Sequence, residues 1–173
     1  MGSSEVNKVI RRILHPEIKA AGFSKVRIRR YWRYLDDRIW HFMIKSVGYY
    51  FSEVTGFPPQ SLVSEYGIYF LDFPPHPRPA LRSTPPYDKD GLMIPKEYNL
   101  HFRRSLRAIA SQEPFGLSLA NRAERERNDV WWISTDGLNV ESAVEDLGHA
   151  LIKQAIPDLE NVDKGRVLKA WTS

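Results

Sequence analysis

The spacing of apolar positions changes along the chain, and each change marks an element. Val6, Val9, Ile10, Ile13 and Leu14 recur at three and four residues, the spacing of one helix face. Ser4 stands ahead of them as an N-cap, with Glu5 in the first turn. Ile18 and Ala21 carry the stripe past Pro16, and Gly22 is placed to end the helix. From Lys25 the period drops to two. Val26, Ile28, Trp32 and Tyr34 alternate with Lys25, Arg27, Arg29 and Arg33, which predicts one half-exposed strand. Asp36-Asp37 supplies turn residues, and Ile39 to Val47 is again rich in aromatic and branched side chains, so the two runs form a hairpin. A two-residue turn sets Arg33 opposite Trp40 and Tyr31 opposite Phe42. A three-residue turn sets Trp32 opposite Phe42 and Tyr34 opposite Trp40; it gives the cleaner apolar face and is preferred.

Residues 49–64, with Gly56 and Pro58-Pro59, read as a loop. Tyr66, Ile68 and Phe70 alternate with Gly67, Tyr69 and Leu71 in a third strand, and Leu100, Phe102, Arg104 and Leu106 mark a fourth. Between them, residues 73–95 hold seven of the twelve prolines and predict an extended surface excursion, because proline cannot donate to a sheet ladder. Residues 118–127 suit either a solvated helix or a charged loop. Val130 to Thr135 reads as a fifth strand buried on both faces, in which Trp131 and Trp132 point to opposite packing layers. Asn139 caps a helix with Val140, Val144, Leu147 and Leu151 on one stripe, Pro157 stops it, and 162–171 allows a short terminal helix.

These elements predict an α+β fold: a twisted antiparallel sheet of about five strands, with the N-terminal helix and the later amphipathic helix packed on one face. The expected core is Val26, Ile28, Trp32, Phe42, Ile44, Ile68, Phe70, Trp131, Ile133, Val144, Leu147 and Leu151. At 173 residues, with no linker-like break in composition, the chain reads as a single domain over 1–173. No cysteine is present, which excludes disulfides, thiolate metal sites and cysteine nucleophiles and fits a cytoplasmic location. No signal peptide or membrane-spanning stretch is expected.

Chemistry is sparse. His15, His41, His76, His101 and His149 lack a second histidine or a carboxylate at metal-ligand spacing. Gly116-Leu117-Ser118-Leu119-Ala120 approaches the nucleophile elbow of hydrolases, but Gln112-Glu113-Pro114 stands where the strand should enter and Ala120 replaces the last glycine. The pairs Asp36-Asp37, Asp88 with Asp90, and Asp129 with Asp136 flank turns, where aspartate is expected for backbone reasons. No catalytic, cofactor-binding or metal-binding residue is assigned, and no cofactor is expected.

The net charge of +4 and pI near 9.3 matter only where the charge gathers. Basic and aromatic residues interleave from Lys25 to Tyr34, and a single strand there would carry Arg27, Arg29, Tyr31 and Arg33 on one face, with Arg103 on a neighbouring strand. Such a face could grip phosphates while Tyr31 stacks on a base. The plainer reading is a solvated face whose arginines lie across aromatic rings.

The aromatic-basic strand, Leu100-His101-Phe102-Arg103-Arg104-Ser105-Leu106, Asp129-Val130-Trp131-Trp132-Ile133 and the helix ending near Ile156-Pro157-Asp158-Leu159-Glu160 together resemble an uncharacterised bacterial family known only as a domain of unknown function. The resemblance spans most of the chain and departs from the family in the proline-rich segment. It transfers no catalytic residue. The leading expectation for function is a non-catalytic binding protein of immunity or adaptor type, with an acidic protein partner favoured by charge. The alternative is a nucleic-acid-binding module using the basic strand, and a hydrolase is a distant third.

Overall fold

The structure is a computed structural model in which residues 2–75, 84–110 and 127–172 are described. Helix α1 spans Ser3–Ala20 and buries Val6, Ile10, Leu14 and Ile18, the stripe that the spacing predicts. Its N-cap is Gly2, whose N–H donates to the Glu5 carboxylate, rather than Ser4. Pro16 lies inside the helix, and Gly22 follows it with φ 89°, a conformation that favours glycine.

Among the described residues, six strands form one antiparallel sheet: β1 Lys25–Arg27, β2 Arg30–Tyr34, β3 Arg38–Ser46, β4 Leu62–Phe70, β5 Phe102–Ser105 and β6 Val130–Trp131. They lie in the order β1-β2-β3-β4-β5, with β6 pairing the start of β4. The fold is the expected α+β class, with one strand more than expected. The additional strand comes from Lys25–Tyr34, which is not one strand. Arg27 pairs with Arg30 around a tight turn at Ile28-Arg29, so the segment is itself a hairpin.

The β2–β3 register corrects the preferred one: Tyr31 lies opposite Phe42, Trp32 opposite His41, and Arg33 opposite Trp40. Leu35 N donates to Arg38 O at 2.9 Å around a two-residue Asp36-Asp37 turn, which fixes the pairing without any glycine. One consequence is that Tyr31, not Trp32, faces the helices. Trp32 joins a separate cluster on the other side of the sheet with Ile39 and Ile94, and Val26 and Ile28 are only partly buried. The remaining expected core residues are all buried in the main cluster between α1, the later helix and β2–β4.

The later helix runs as α3 Val140–Ala150, a π turn Leu151–Ala155 and α4 Ile156–Glu160; α5 is Lys164–Thr172. Pro157 does not stop it. The wider π turn lies just ahead of the proline, where an α-helical carbonyl would meet its ring, so the helix passes Pro157 and ends at Asn161. Residues 49–55, read as loop, form helix α2 Tyr49–Thr55 between Gly48 and Gly56, with φ of 82° and 81°. Its Phe51 packs on a cluster of Phe57, Val130 and Trp132.

Trp131 and Trp132 do face different layers. Trp131 belongs to the main core and Trp132 to the α2 cluster. The Trp131 indole donates to Asp146 of α3 at 2.8 Å, and the same carboxylate accepts from the backbone N–H groups of Ile109 and Ala110. Strand pairing is shorter than expected, however, and places β6 beside β4 alone. Asn139 sits at the N-cap of α3, but its side chain bonds Ser134 and the Trp132 carbonyl and so ties the helix entry to β6.

Part of the proline-rich segment crosses the second face of the sheet. The Trp32 indole donates to Pro95 O and the Tyr34 hydroxyl to Met93 O, both at 2.8 Å. Residues 84–95 therefore act as a strap over β2 and β3. Among the described residues, no helix is long and apolar enough to cross a membrane.

Candidate partner-binding surface

The turn at Ile28-Arg29 reverses the chain, so it scatters the residues that a single strand would have aligned. Arg27 lies on the second face, with its guanidinium 5.9 Å from the Trp32 ring. Arg103 lies at the far edge of the sheet, in β5, and pairs with Glu65 at 2.9 Å. Tyr31 is 0% exposed: it stacks on Phe42 and meets His15 of α1 edge-on, at 5.5 Å between ring centroids. Burial pushes its hydroxyl well above the usual phenol range. It cannot stack on a base. Only Arg29 and Arg33 remain together on the helix side of the β1–β2 edge.

That edge runs beside α1, and α1 brings cations of its own. Asn7, Arg11 and His15 are spaced by four residues and share a helix face, with Lys8 and Lys19 next to it. At one end, Arg29 Nε donates to Asn7 Oδ1 at 2.7 Å. At the other, Arg33 lies over Trp40 and donates to the Ala21 carbonyl at 3.0 Å. From Asn7 to Ala21 the helix advances roughly 20 Å. Arg11 lies on the flank beside Asn7, and Lys8 and Lys19 lie further round on the outer face. Arg33 stands at the end of α1, where it lines a hollow with Glu17. None of these four cations, nor Arg29, has an ion-pair partner among the described residues. Arg12, on the flank toward α3, is paired with Glu141. His15 sits in the middle of the seam. Burial lowers its pKa, a contact with the Ile28 backbone opposes this, and the charges of Lys19 and Arg11 lower it further.

The sequence carried a signal for the α1 cations, because Arg11 falls on the polar flank of the Val6–Ile18 stripe and Lys8 and Lys19 on the outer face next to it. What it lacked was the pairing that brings Arg29 to Asn7.

Basic residues at the opposite edge are placed differently. A groove of about 470 Å³ lies between β5 and the C-terminal helices, lined by His101, Arg103, Arg104, Asp158, Asp163 and Arg166 among others. Arg103 is held by Glu65, and Arg104 by Asp158 at 2.7 Å. The Tyr66 hydroxyl also donates to Asp158, and burial, followed by that bond, raises its pKa to about 12.

On the second face, Arg103, Glu65, Lys45, Glu97 and Arg30 form a chain of alternating charge with contacts of 2.9, 3.2, 3.7 and 3.1 Å. His41 lies beside this chain, stacked on Trp32 and wholly buried, with neither ring nitrogen hydrogen-bonded. Burial, with help from Arg30 and Lys45 and against Glu97, lowers its pKa to about 3. A base that weak stays neutral near pH 7 and is poorly matched to proton transfer there.

Among the described residues, no group of three or more His, Asp or Glu side chains is placed to hold a metal ion. Ser118 of the elbow-like sequence, and His76, lie outside the described residues. No family model matches the chain, and neither a curated protein nor a solved structure is detectably similar to it, so any reading of function rests on this geometry.

Proposed function

We propose that the protein is a non-catalytic binding protein of adaptor or immunity type, working in the cytoplasm, that docks an acidic protein partner along the seam between α1 and the β1–β2 edge. The observation that carries the reading is the group of five cations on α1 and the β1–β2 hairpin, Lys8, Arg11, Lys19, Arg29 and Arg33, that have no carboxylate ion-pair partner among the described residues. Other cations are compensated within the chain, as Arg103, Arg104, Lys25 and Lys164 are by Asp or Glu. A row of like charges costs self-repulsion in the free protein, and an acidic surface relieves that cost while steering association.

A nucleic-acid module is the weaker reading, because Tyr31 is buried beneath the seam and leaves the basic strand without its stacking platform. Fluorescence anisotropy distinguishes the two. A labelled Glu-rich decapeptide is expected to bind with a strong salt dependence, and a labelled 20-nucleotide single strand or duplex to bind more weakly at equal salt. Tighter binding of either oligonucleotide would replace the protein partner with a nucleic acid.

A further inference from the structure

Arg29 differs from the other cations of the seam in being held by side chains of two elements, whereas Arg33 meets a carbonyl and a ring. Its Nε donates to Asn7 Oδ1 of α1 at 2.7 Å and its Nη1 to Ser46 Oγ, at the end of β3, at 2.6 Å. Its own carbonyl accepts from Ile44 N at 2.9 Å, which fixes the turn on which it stands. Nη2 is buried and has no acceptor. The guanidinium is half-buried, and both of its side-chain acceptors are neutral. Burial accordingly lowers its pKa from the usual guanidinium value.

Buried arginine is ordinarily matched with a carboxylate or phosphate, since desolvating a cation without a counter-charge is costly. Arg29 instead presents a planar fork, aligned by three elements and uncompensated, with Arg11 one helical turn beyond Asn7 and Lys8 adjacent.

We propose that Arg29 is an anion socket and the anchor of the docking surface: a carboxylate of the acidic partner displaces the Asn7 side chain from the Nε edge of the guanidinium, where Nε–H and Nη2–H lie parallel, while Ser46 keeps Nη1. The identity of the ligand rests on the partner proposed above; the socket does not. A flat carboxylate meets two parallel N–H groups of the fork, supplies the missing negative charge, and gives Nη2 an acceptor. Arg11 and Lys8 then receive neighbouring carboxylates of the same segment. Asn7, half-buried, acts as a placeholder on that edge until the ligand arrives, and Ser46 holds the fork in position from Nη1 throughout.

The test uses the labelled Glu-rich decapeptide with wild type, Arg29→Met, Arg29→Lys and Lys19→Ala, with melting temperatures confirming that each variant folds. Arg29→Met is expected to weaken binding by about tenfold or more, Arg29→Lys by nearly as much because the fork is lost, and Lys19→Ala by less than about threefold. Equal losses in Arg29→Met and Lys19→Ala would overturn the socket and leave the surface standing. If wild type does not bind the peptide, inorganic phosphate decides the socket alone. At matched ionic strength, phosphate should raise the melting temperature above that in chloride for wild type and not for Arg29→Met. The same response in both proteins overturns the socket. A response confined to wild type keeps it, while the missing peptide binding removes the proposed partner.

Discussion

The two edges of the sheet are both rich in arginine, and they treat it in opposite ways. At the β5 edge, Arg103 and Arg104 are met by Glu65 and Asp158, and the first of these continues into an alternating chain through Lys45, Glu97 and Arg30. On the helix side of the β1–β2 edge, Arg29 and Arg33 rest on neutral acceptors and an aromatic ring, near Lys8, Arg11 and Lys19, which have no ion-pair partner among the described residues. Lys25 and Arg30 of the same strands, by contrast, are paired on the second face. The residue types are alike; what differs is that Arg103 and Arg104 meet carboxylates and Arg29 and Arg33 do not. Where charge is matched within the chain it helps to hold strands and strap together. Where it is left unmatched, our proposal is that an acidic partner supplies the matching group.

The largest effect expected from this contrast lies on the compensated side. His41 is buried beside cations that disfavour its charged form, with a pKa of about 3 against 6.5 for the free side chain. Above pH 6.5 it is neutral whether the chain is folded or unfolded. As pH falls from 6.5 toward 3, the unfolded chain takes up a proton that the folded chain refuses, so stability is lost over that window. At pH 4.5 the loss attributable to His41 is roughly 3 kcal/mol. Urea melts at pH 7 and 4.5 should therefore converge when His41→Phe is compared with wild type. An acid sensitivity equal in the two proteins would show that the second face is not closed around a neutral imidazole.

A smaller difference separates single charge removals. Glu65→Gln breaks contacts to both Arg103 and Lys45 and should cost about 0.5–1 kcal/mol in denaturant melts, since the pair is only partly exposed. Arg11→Ala on the seam should change stability by less than about 0.5 kcal/mol in either direction. A clear loss of stability in Arg11→Ala would mean that the seam is compensated after all and that the contrast between the edges is false.

Much of the frame could be read from the chain. The three- and four-residue spacing of Val6, Ile10 and Leu14, and of Val140, Val144, Leu147 and Leu151, placed both helices on the sheet, because burial of one stripe leaves a helix little choice of face. The opposite layers of Trp131 and Trp132 followed from the pleat alone. The hairpin inside Lys25–Tyr34 was hidden because its turn contains Ile28 and Arg29, neither a turn former, and alternation appears to the eye to run on through it. That one turn moved Tyr31 into the core, sent Arg27 to the other face and left Arg29 against Asn7. Contacts across 22 residues, such as Arg29 with Asn7, depend on where α1 lies over the edge strand, which no local pattern encodes. The strap function of Pro95 and Met93 was out of reach for the same reason: it rests on carbonyls, and carbonyls carry no side-chain signature.

The central claim is that uncompensated charge at one edge is the docking surface, and removing equal charge from the unpaired and the paired cations tests it most directly. One variant carries Lys8→Ala, Arg11→Ala and Lys19→Ala; in the other the paired cations are removed, as Arg103→Ala, Arg104→Ala and Lys45→Ala. Each loses three positive charges, so any effect of net charge is shared. Affinity for the labelled Glu-rich decapeptide at fixed salt should fall by about tenfold in the first and less than about twofold in the second. Equal losses in the two variants, or a greater loss in the second, would contradict it.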